Sequence, residues 1–302
     1  MQRFQVKESA PLLEFLFKIL TGFNKTTVRN LLKFRAVSVN GKFISQFNHP
    51  LVPGDVVQIT SDRKAAVRAD IKSELGIIYE DEDVIVINKP SGLLTVSSEK
   101  VKTETAFYKL YDYLKLKQTE AQKRGRLQPL FIVHRLDKDA SGLIVFAKNI
   151  EAKEWLQDQW HTFEKKYYAV VYGVPGKTQG TVESYLAENQ TLKVYSSPKP
   201  SAHGKLSVTH FKVLNSNRKF ALVEVDLETG RKHQIRVHLS DIGHPIVGDD
   251  KYGGDFKKEK PPIKRLALHA FSLLFIHPRT RKKLTFESDL PEEMNIIERK
   301  TK

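Results

Sequence analysis

Asp137 stands in His134-Arg135-Leu136-Asp137-Lys138-Asp139-Ala140-Ser141-Gly142-Leu143, a polar stretch between the apolar runs Phe131-Ile132-Val133 and Leu143 to Ala147. A loop between two core strands is rigidly held yet reaches solvent, which suits a reacting group. An aspartate there can act as a nucleophile or a base. It can equally be a turn residue bonding its own backbone, and spacing alone leaves both open. Arg236 falls in a stretch, 230–242, whose spacing predicts a helix opened by Thr229 and stopped by Gly243 and Pro245. Ile235, Leu239 and Ile242 form its buried stripe, and Arg236 sits about 100° from Ile235, at the edge of that stripe. A half-buried guanidinium needs an anion, either Asp137 or a phosphate. With Asp137 as partner, it would hold the carboxylate ionised and fixed in direction. Tyr167 lies in a predicted strand where period two puts Tyr167, Ala169, Val171 and Gly173 on one face and Tyr168 on the other. That face serves a core or a site.

Other chemistries lack their residues. There is no cysteine, so disulfides, thiol catalysis, iron–sulfur clusters and cysteine-bound zinc are excluded. Of the ten histidines, His233 and His238 are five apart, about 140° around a helix and poorly placed for one metal. No H-E-x-x-H occurs, and no metal or organic cofactor is expected. Lys and Arg number 50 against 35 Asp and Glu, a net charge of +15, which favours a polyanionic partner. The surplus is spread along the chain, with 11 Lys/Arg against 5 Asp/Glu in residues 1–70. No apolar run approaches the roughly 18 residues needed to cross a bilayer. A cytoplasmic monomer without a membrane partner is the expectation.

The elements that must position these groups divide at a polar segment, 63–76, read as a linker between residues 1–62 and 77–302. In the first part, Ser9 is expected to cap a helix from Ala10–Pro11 and Thr26 or Thr27 a second one. Val28, Leu31 and Leu32 face inward on the second helix, with Arg29, Lys33 and Arg35 outside. Asn40-Gly41 marks a hairpin. In the second part, many strands with few helices and no strict βαβ alternation predict an α+β domain with a mostly antiparallel mixed sheet. Residues 191–206 read as irregular. Asn88-Lys89-Pro90-Ser91-Gly92 reads either as a strand-ending turn or as a phosphate-contact turn.

His134-Arg135-Leu136-Asp137 with Ser141-Gly142-Leu143 resembles the H-R-L-D-x-x-T-S-G-L signature of the RluA-type pseudouridine synthases. Four further segments match in order: Asn88 to Gly92, Tyr167 to Gly173, Thr229 to His238 and Gly248 to Gly253. Leu268-His269-Ala270 and His277-Pro278 complete the set, so the resemblance covers about residues 77–290. The first 60 residues resemble an RNA-binding domain shared with a small-subunit ribosomal protein. The resemblance implies an isomerase that turns uridine into pseudouridine in structured RNA, without a cofactor. It makes Asp137 the catalytic aspartate and Tyr167 the ring stacked on the target uracil. It also places His134 and Arg135 near the opening for the target base. Lys89, in the possible phosphate-contact turn, and Arg29, Lys33 and Arg35, on the outer face of the second helix, are the other candidate RNA- or substrate-binding residues.

Three positions depart from the family pattern: Ala140 for threonine, Lys232 for a small hydroxyl residue, and Leu93-Leu94-Thr95-Val96-Ser97 after the Lys-Pro-Ser-Gly turn. None removes the nucleophile. Large-subunit ribosomal RNA is the expected substrate, because an added basic module suits a large folded target; transfer RNA is the alternative. A non-catalytic RNA-binding or ribosome-assembly factor would not need Asp137, Tyr167 and Arg236 together. A glycoside hydrolase would need a second carboxylate paired with Asp137, and none is evident.

Overall fold

The computed structural model describes residues 2–33, 36–59, 63–97, 101–117, 129–258 and 261–297. Contacts divide the chain into two units, Met1–Leu75 with Lys109–Gln128 and Gly76–Tyr108 with Pro129–Lys302.

In the first unit, β1 (Gln2–Gln5), β2 (Ala10–Pro11), α1 (Leu12–Ile19) and α2 (Lys25–Lys33) come first. β3 (Val37–Val39), β4 (Lys42–Phe43), β5 (Pro50–Leu51), β6 (Val56–Ile59) and α3 (Arg63–Leu75) follow. The sheet runs β1-β6-β3-β4, and β2 pairs with β5. Leu12 and Leu16 of α1 and Val28 and Leu32 of α2 bury against Val37 and Val57. At the β3–β4 turn Asn40 and Gly41 have φ of 50° and 81°, the two positive values a type I′ hairpin demands. Ser9 does not cap α1. Ala10 and Pro11 are paired as β2, so the helix opens after Pro11 without a side-chain cap. Asn24, not a threonine, caps α2, its Oδ1 accepting from the Thr27 amide at 2.7 Å. The segment read as a linker is helical over Arg63–Leu75. Arg29 is exposed, its guanidinium 5.7 Å over the Phe17 ring. The Lys33 side chain and Arg35 lie outside the described residues.

The second unit opens with β7 (Ile77–Glu80) and β8 (Val84–Lys89). After α4 (Ala106–Lys117), of which only Ala106–Tyr108 belongs to this unit, come β9 (Phe131–Ile132), β10 (Ser141–Ala147), α5 (Ile150–Asp158) and β11 (Glu164–Tyr172). β12 (Gln179–Glu188), β13 (Val194–Ser197), β14 (Lys205–Ser216) and β15 (Phe220–Leu227) lead to α6 (Gln234–Asp241), β16 (Leu268–Ile276) and β17 (Lys283–Glu287). One 11-stranded sheet runs β13-β12-β14-β15-β11-β16-β10-β8-β7, with β17 on β16 and β9 on β10. Every pairing in it is antiparallel except β10 with β16, so the fold is α+β with a mixed, mostly antiparallel sheet. α6 lies against β12, β13 and β14 and adds Ile235 and Leu239 to the core cluster that also holds Val223 and Val225 of β15. α5 packs through Ala152 and Leu156 on β8, β10 and β16, and Asn149 caps it, its side chain accepting from the Ala152 amide.

Two readings change here. Residues 191–206 contain β13, beside a β12 that the sequence pattern did not announce. α6 begins at Gln234, because Thr229 is engaged elsewhere, its Oγ1 accepting from the Val208 amide and donating to Gln234 Oε1. Gln234 then spends all its hydrogen-bonding groups, donating to Val208 O and Thr209 Oγ1 and accepting from Thr229 and the Arg231 amide. This fixes the start of α6 against β14.

Candidate active site

Asp137 sits in the loop between β9 and β10, which is braced from one side by the turn after β8. Thr95 Oγ1 donates to Leu136 O at 2.8 Å and accepts from the Leu136 amide. The Gly92 amide donates to Lys138 O, and Ser91 Oγ donates to Asp139 O. Lys89, fully buried, points its ammonium at Pro90 O, Leu93 O and Lys138 O at 2.9, 2.8 and 3.2 Å. The expectation of a phosphate contact at Lys89 is therefore corrected. Its charge is inside the protein, satisfied by three carbonyls. Burial pushes its pKa down to about 8, against the pull of Asp139 and Asp137. In this structure the 88–92 segment is a brace for the aspartate loop.

From the other side comes Arg236, which is 5% exposed and so more deeply placed than an edge position suggests. Its Nη1 donates to Asp137 Oδ2 at 3.2 Å. Its Nε and Nη2 donate to the two oxygens of Asp249, both at 2.8 Å, in the fork-to-fork geometry that fixes direction as well as charge. Asp249 in turn accepts from the amides of Lys251 and Tyr252, and the Arg236 guanidinium lies 5.2 Å over the Tyr252 ring. Burial opposes charge on Arg236, but Asp249 and then Asp137 outweigh it and hold the group above its ordinary value. Asp249 shows the mirror image, with burial overridden by Arg236 and the two amides, so its carboxyl is held below the usual range. Asp249 was not singled out from the sequence, although it stands in the matched Gly248 to Gly253 segment.

Tyr167, on β11, faces the same cleft of about 70 Å³, which Asp137, Arg135, Ala140, Arg231, His233, Arg236 and Leu268 also line. A register shift between Lys166 and Tyr167 against β16 re-aims the ring. Among the described residues the Tyr167 hydroxyl has no hydrogen-bond partner. Burial, then the Asp137 charge, pushes its pKa up, so it remains a phenol at neutral pH. Tyr168 points elsewhere and stacks on Phe271 at 3.7 Å. Arg135 is exposed at the cleft.

His134 is a packing histidine, and its assignment to RNA contact is corrected. The ring stacks on Trp160 at 4.1 Å, and Nε2 accepts from the Val145 amide. Burial, with Lys165 adding to it, pushes its pKa down to about 3, so it is the neutral acceptor this contact requires. Ala140 is 1% exposed in the core beneath the loop, and Lys232 pairs with Glu188 of β12.

Among the described residues one group of three, Asp81, Asp83 and His277, brings ligand-type atoms together. Its hydrogen bonds argue for a brace. His277 Nδ1 accepts from the Arg279 and Thr280 amides, so Nε2 carries the proton and donates it to Asp81. Asp83 is engaged by Asn149 and Arg279.

Comparison with known proteins agrees with this geometry. A family profile described as RNA pseudouridylate synthase matches residues 83–241. The chain is 38% identical over 286 residues to an uncharacterized RNA pseudouridine synthase, YlyB, of Bacillus subtilis, spanning 93% of this chain and 90% of that one. It is 32% identical over 292 residues to ribosomal large subunit pseudouridine synthase D of Haemophilus influenzae, spanning 92% and 87%. Among solved structures, human RNA pseudouridylate synthase domain containing 4 superposes with a TM-score of 0.57 at 28% identity, over 76% of this chain and 94% of that one.

Proposed function

Because this chain belongs to the RNA pseudouridylate synthase family, we propose that Asp137, Arg236 and Tyr167 carry out its isomerisation of uridine, and that the substrate is large-subunit ribosomal RNA. The observation that carries the reading is the Asp137 carboxylate, held at Oδ2 by a guanidinium that Asp249 itself holds, beside a tyrosine hydroxyl with no hydrogen-bond partner among the described residues. Isomerisation breaks the N1–C1′ bond, turns the base and joins C5 to C1′. C5 loses a proton and N1 gains one, so atoms balance without a cofactor. A carboxylate aimed by one oxygen keeps the other for attack on base or sugar, or for removal of a sugar proton. Tyr167 offers its ring to the uracil face and its hydroxyl to a proton in transit.

A uridine inside a folded RNA reaches such a cleft only if it leaves the stack. Arg135, exposed at the rim, is placed to fill the gap or grip a phosphate. Ribosomal RNA is supported by the large-subunit enzymes among the relatives and by the +15 charge. The first unit, with Arg29 outward on α2, serves as the RNA-holding module. Mapping pseudouridine in cellular RNA with and without the protein tests this. Sites in large-subunit RNA that vanish with the protein, and return with wild type but not with Asp137→Asn, are expected. Sites lost only from transfer RNA would overturn the substrate assignment.

A further inference from the structure

His233 is the residue immediately before α6, and its backbone is left-handed, with φ 56° and ψ 17°. L-residues avoid that conformation, and here it does not serve helix capping, since the side chain makes no cap hydrogen bond. The side chain is 12% exposed and turns into the cleft, with Nε2 3.8 Å from Asp137 Oδ1. Arg236 holds Oδ2, so these two side chains address opposite oxygens of one carboxylate.

The hydrogen-bond network assigns the tautomer. Tyr252 Oη accepts from the Val194 amide at 3.0 Å, and His233 Nδ1 lies 2.8 Å from the same Oη. The other tautomer would turn a bare Nε2 lone pair toward the Asp137 carboxylate, so the Tyr252 hydroxyl donates to Nδ1 and the imidazole hydrogen sits on Nε2, toward Asp137. At 3.8 Å that N–H is beyond hydrogen-bond length, as catalytic contacts commonly are before substrate binds.

We propose that His233 is a positioning residue for Asp137: a neutral imidazole, locked in its Nε2–H tautomer by Tyr252, it orients Oδ1, the oxygen that Arg236 leaves available to the uridine. The inference rests on Asp137 being the reacting carboxylate. Burial holds the imidazole below its ordinary pKa, with Asp137 opposing and Arg236 of α6, Lys251 of the following loop and neighbouring Lys232 adding to the depression. Glu188 of β12, paired with Lys232, also feels the ring. A second proton would have to enter at Nδ1. It would reverse the bond to Tyr252 and place a full positive charge against Oδ1, so the rate falls on the acid side.

The test uses the full chain and RNA labelled with [5-³H]uridine, taken from cells lacking the protein, with released tritium counting each uridine isomerised. His233→Ala is expected to lower kcat by about tenfold to a hundredfold with KM little changed. His233→Gln, whose amide supplies an N–H that does not titrate, should recover to within about threefold and lose the histidine's part of the acid limb. Tyr252→Phe should slow the wild type but leave His233→Gln no slower, because only an imidazole needs its tautomer fixed. The inference is overturned if His233→Ala matches wild type in kcat and pH profile, if His233→Gln is as slow as His233→Ala, or if Tyr252→Phe slows both backgrounds equally. Should His233→Ala fail to fold, the pH profile of His233→Gln decides, an unchanged acid limb being the refutation. Asp137→Asn runs alongside: turnover there overturns the parent reading, whereas an inactive Asp137→Asn beside an unaffected His233→Ala overturns this inference alone.

Discussion

A carboxylate that reacts in one direction needs its lone pairs aimed, and Asp137 is aimed by a guanidinium with no freedom of its own. Removing that guanidinium exposes two faults. Arg236→Ala leaves Asp249, whose side chain is fully buried, as an unpaired charge, which should cost roughly 3–5 kcal/mol of stability in urea unfolding. Arg236→Lys keeps the charge but not the fork. It should stay nearer wild-type stability while kcat falls by about tenfold or more, measured as tritium release. An Arg236→Lys variant with full kcat would mean the direction of the guanidinium does not matter. That Arg236 needs an anion was legible in the sequence, with Asp137 as one of two candidates, because a guanidinium at the edge of a helix stripe must find a partner. The larger share of its bonding was not. Asp249 lies thirteen residues away in a turn whose shape no periodicity reports, and two adjacent aspartates offered no way to choose. Asp250 is exposed and reaches Arg236 only at 3.5 Å. Lys89 was misread for the opposite reason, since a lysine beside Pro-Ser-Gly looks like surface until three carbonyls close around it.

At the scale of elements, the site depends on where β10 meets β16, the single parallel pairing of the large sheet among the described residues. Gly142 has φ 116°, and a Cβ there would come within 2.2 Å of the Ala270 carbonyl oxygen. Gly142→Ala should therefore destabilise by roughly 3 kcal/mol or more and disturb the loop five residues from Asp137. Urea unfolding checks it, and a midpoint equal to wild type would mean the crossing strands part without cost. The mostly antiparallel sheet was legible from the many strands without βαβ alternation, as was the Asn40-Gly41 hairpin. β12 and β13 were not, because much of β12 is half-exposed and its pattern mixes polar and apolar residues. Helix starts slipped wherever a tertiary bond claimed the expected capping residue, as Val208 claims Thr229.

For the whole molecule, pH and salt report on different parts. His134, His238 and His269 are held by burial at about 3, 4 and 4. The unfolded chain takes up their protons near pH 6.5 and the folded one refuses them. Stability is thus fully present above pH 6.5 and falls as pH drops toward 4, by about 1.4 kcal/mol per pH unit for each histidine within that window. A melting temperature that falls between pH 7 and 4.5 is expected, and a flat one contradicts their burial. The charge surplus predicts a salt-dependent grip on RNA. Arg29→Glu should weaken binding and reduce the slope of log affinity against log salt by roughly one unit, with kcat unchanged. An unchanged slope would remove Arg29 from the contact. The central claim meets its most direct test in Asp137→Asn, which keeps the shape of the side chain and removes its charge. Purified protein with this change should bind RNA as wild type does and release no tritium above background from [5-³H]uridine-labelled RNA. Tritium release at the wild-type rate would contradict the account.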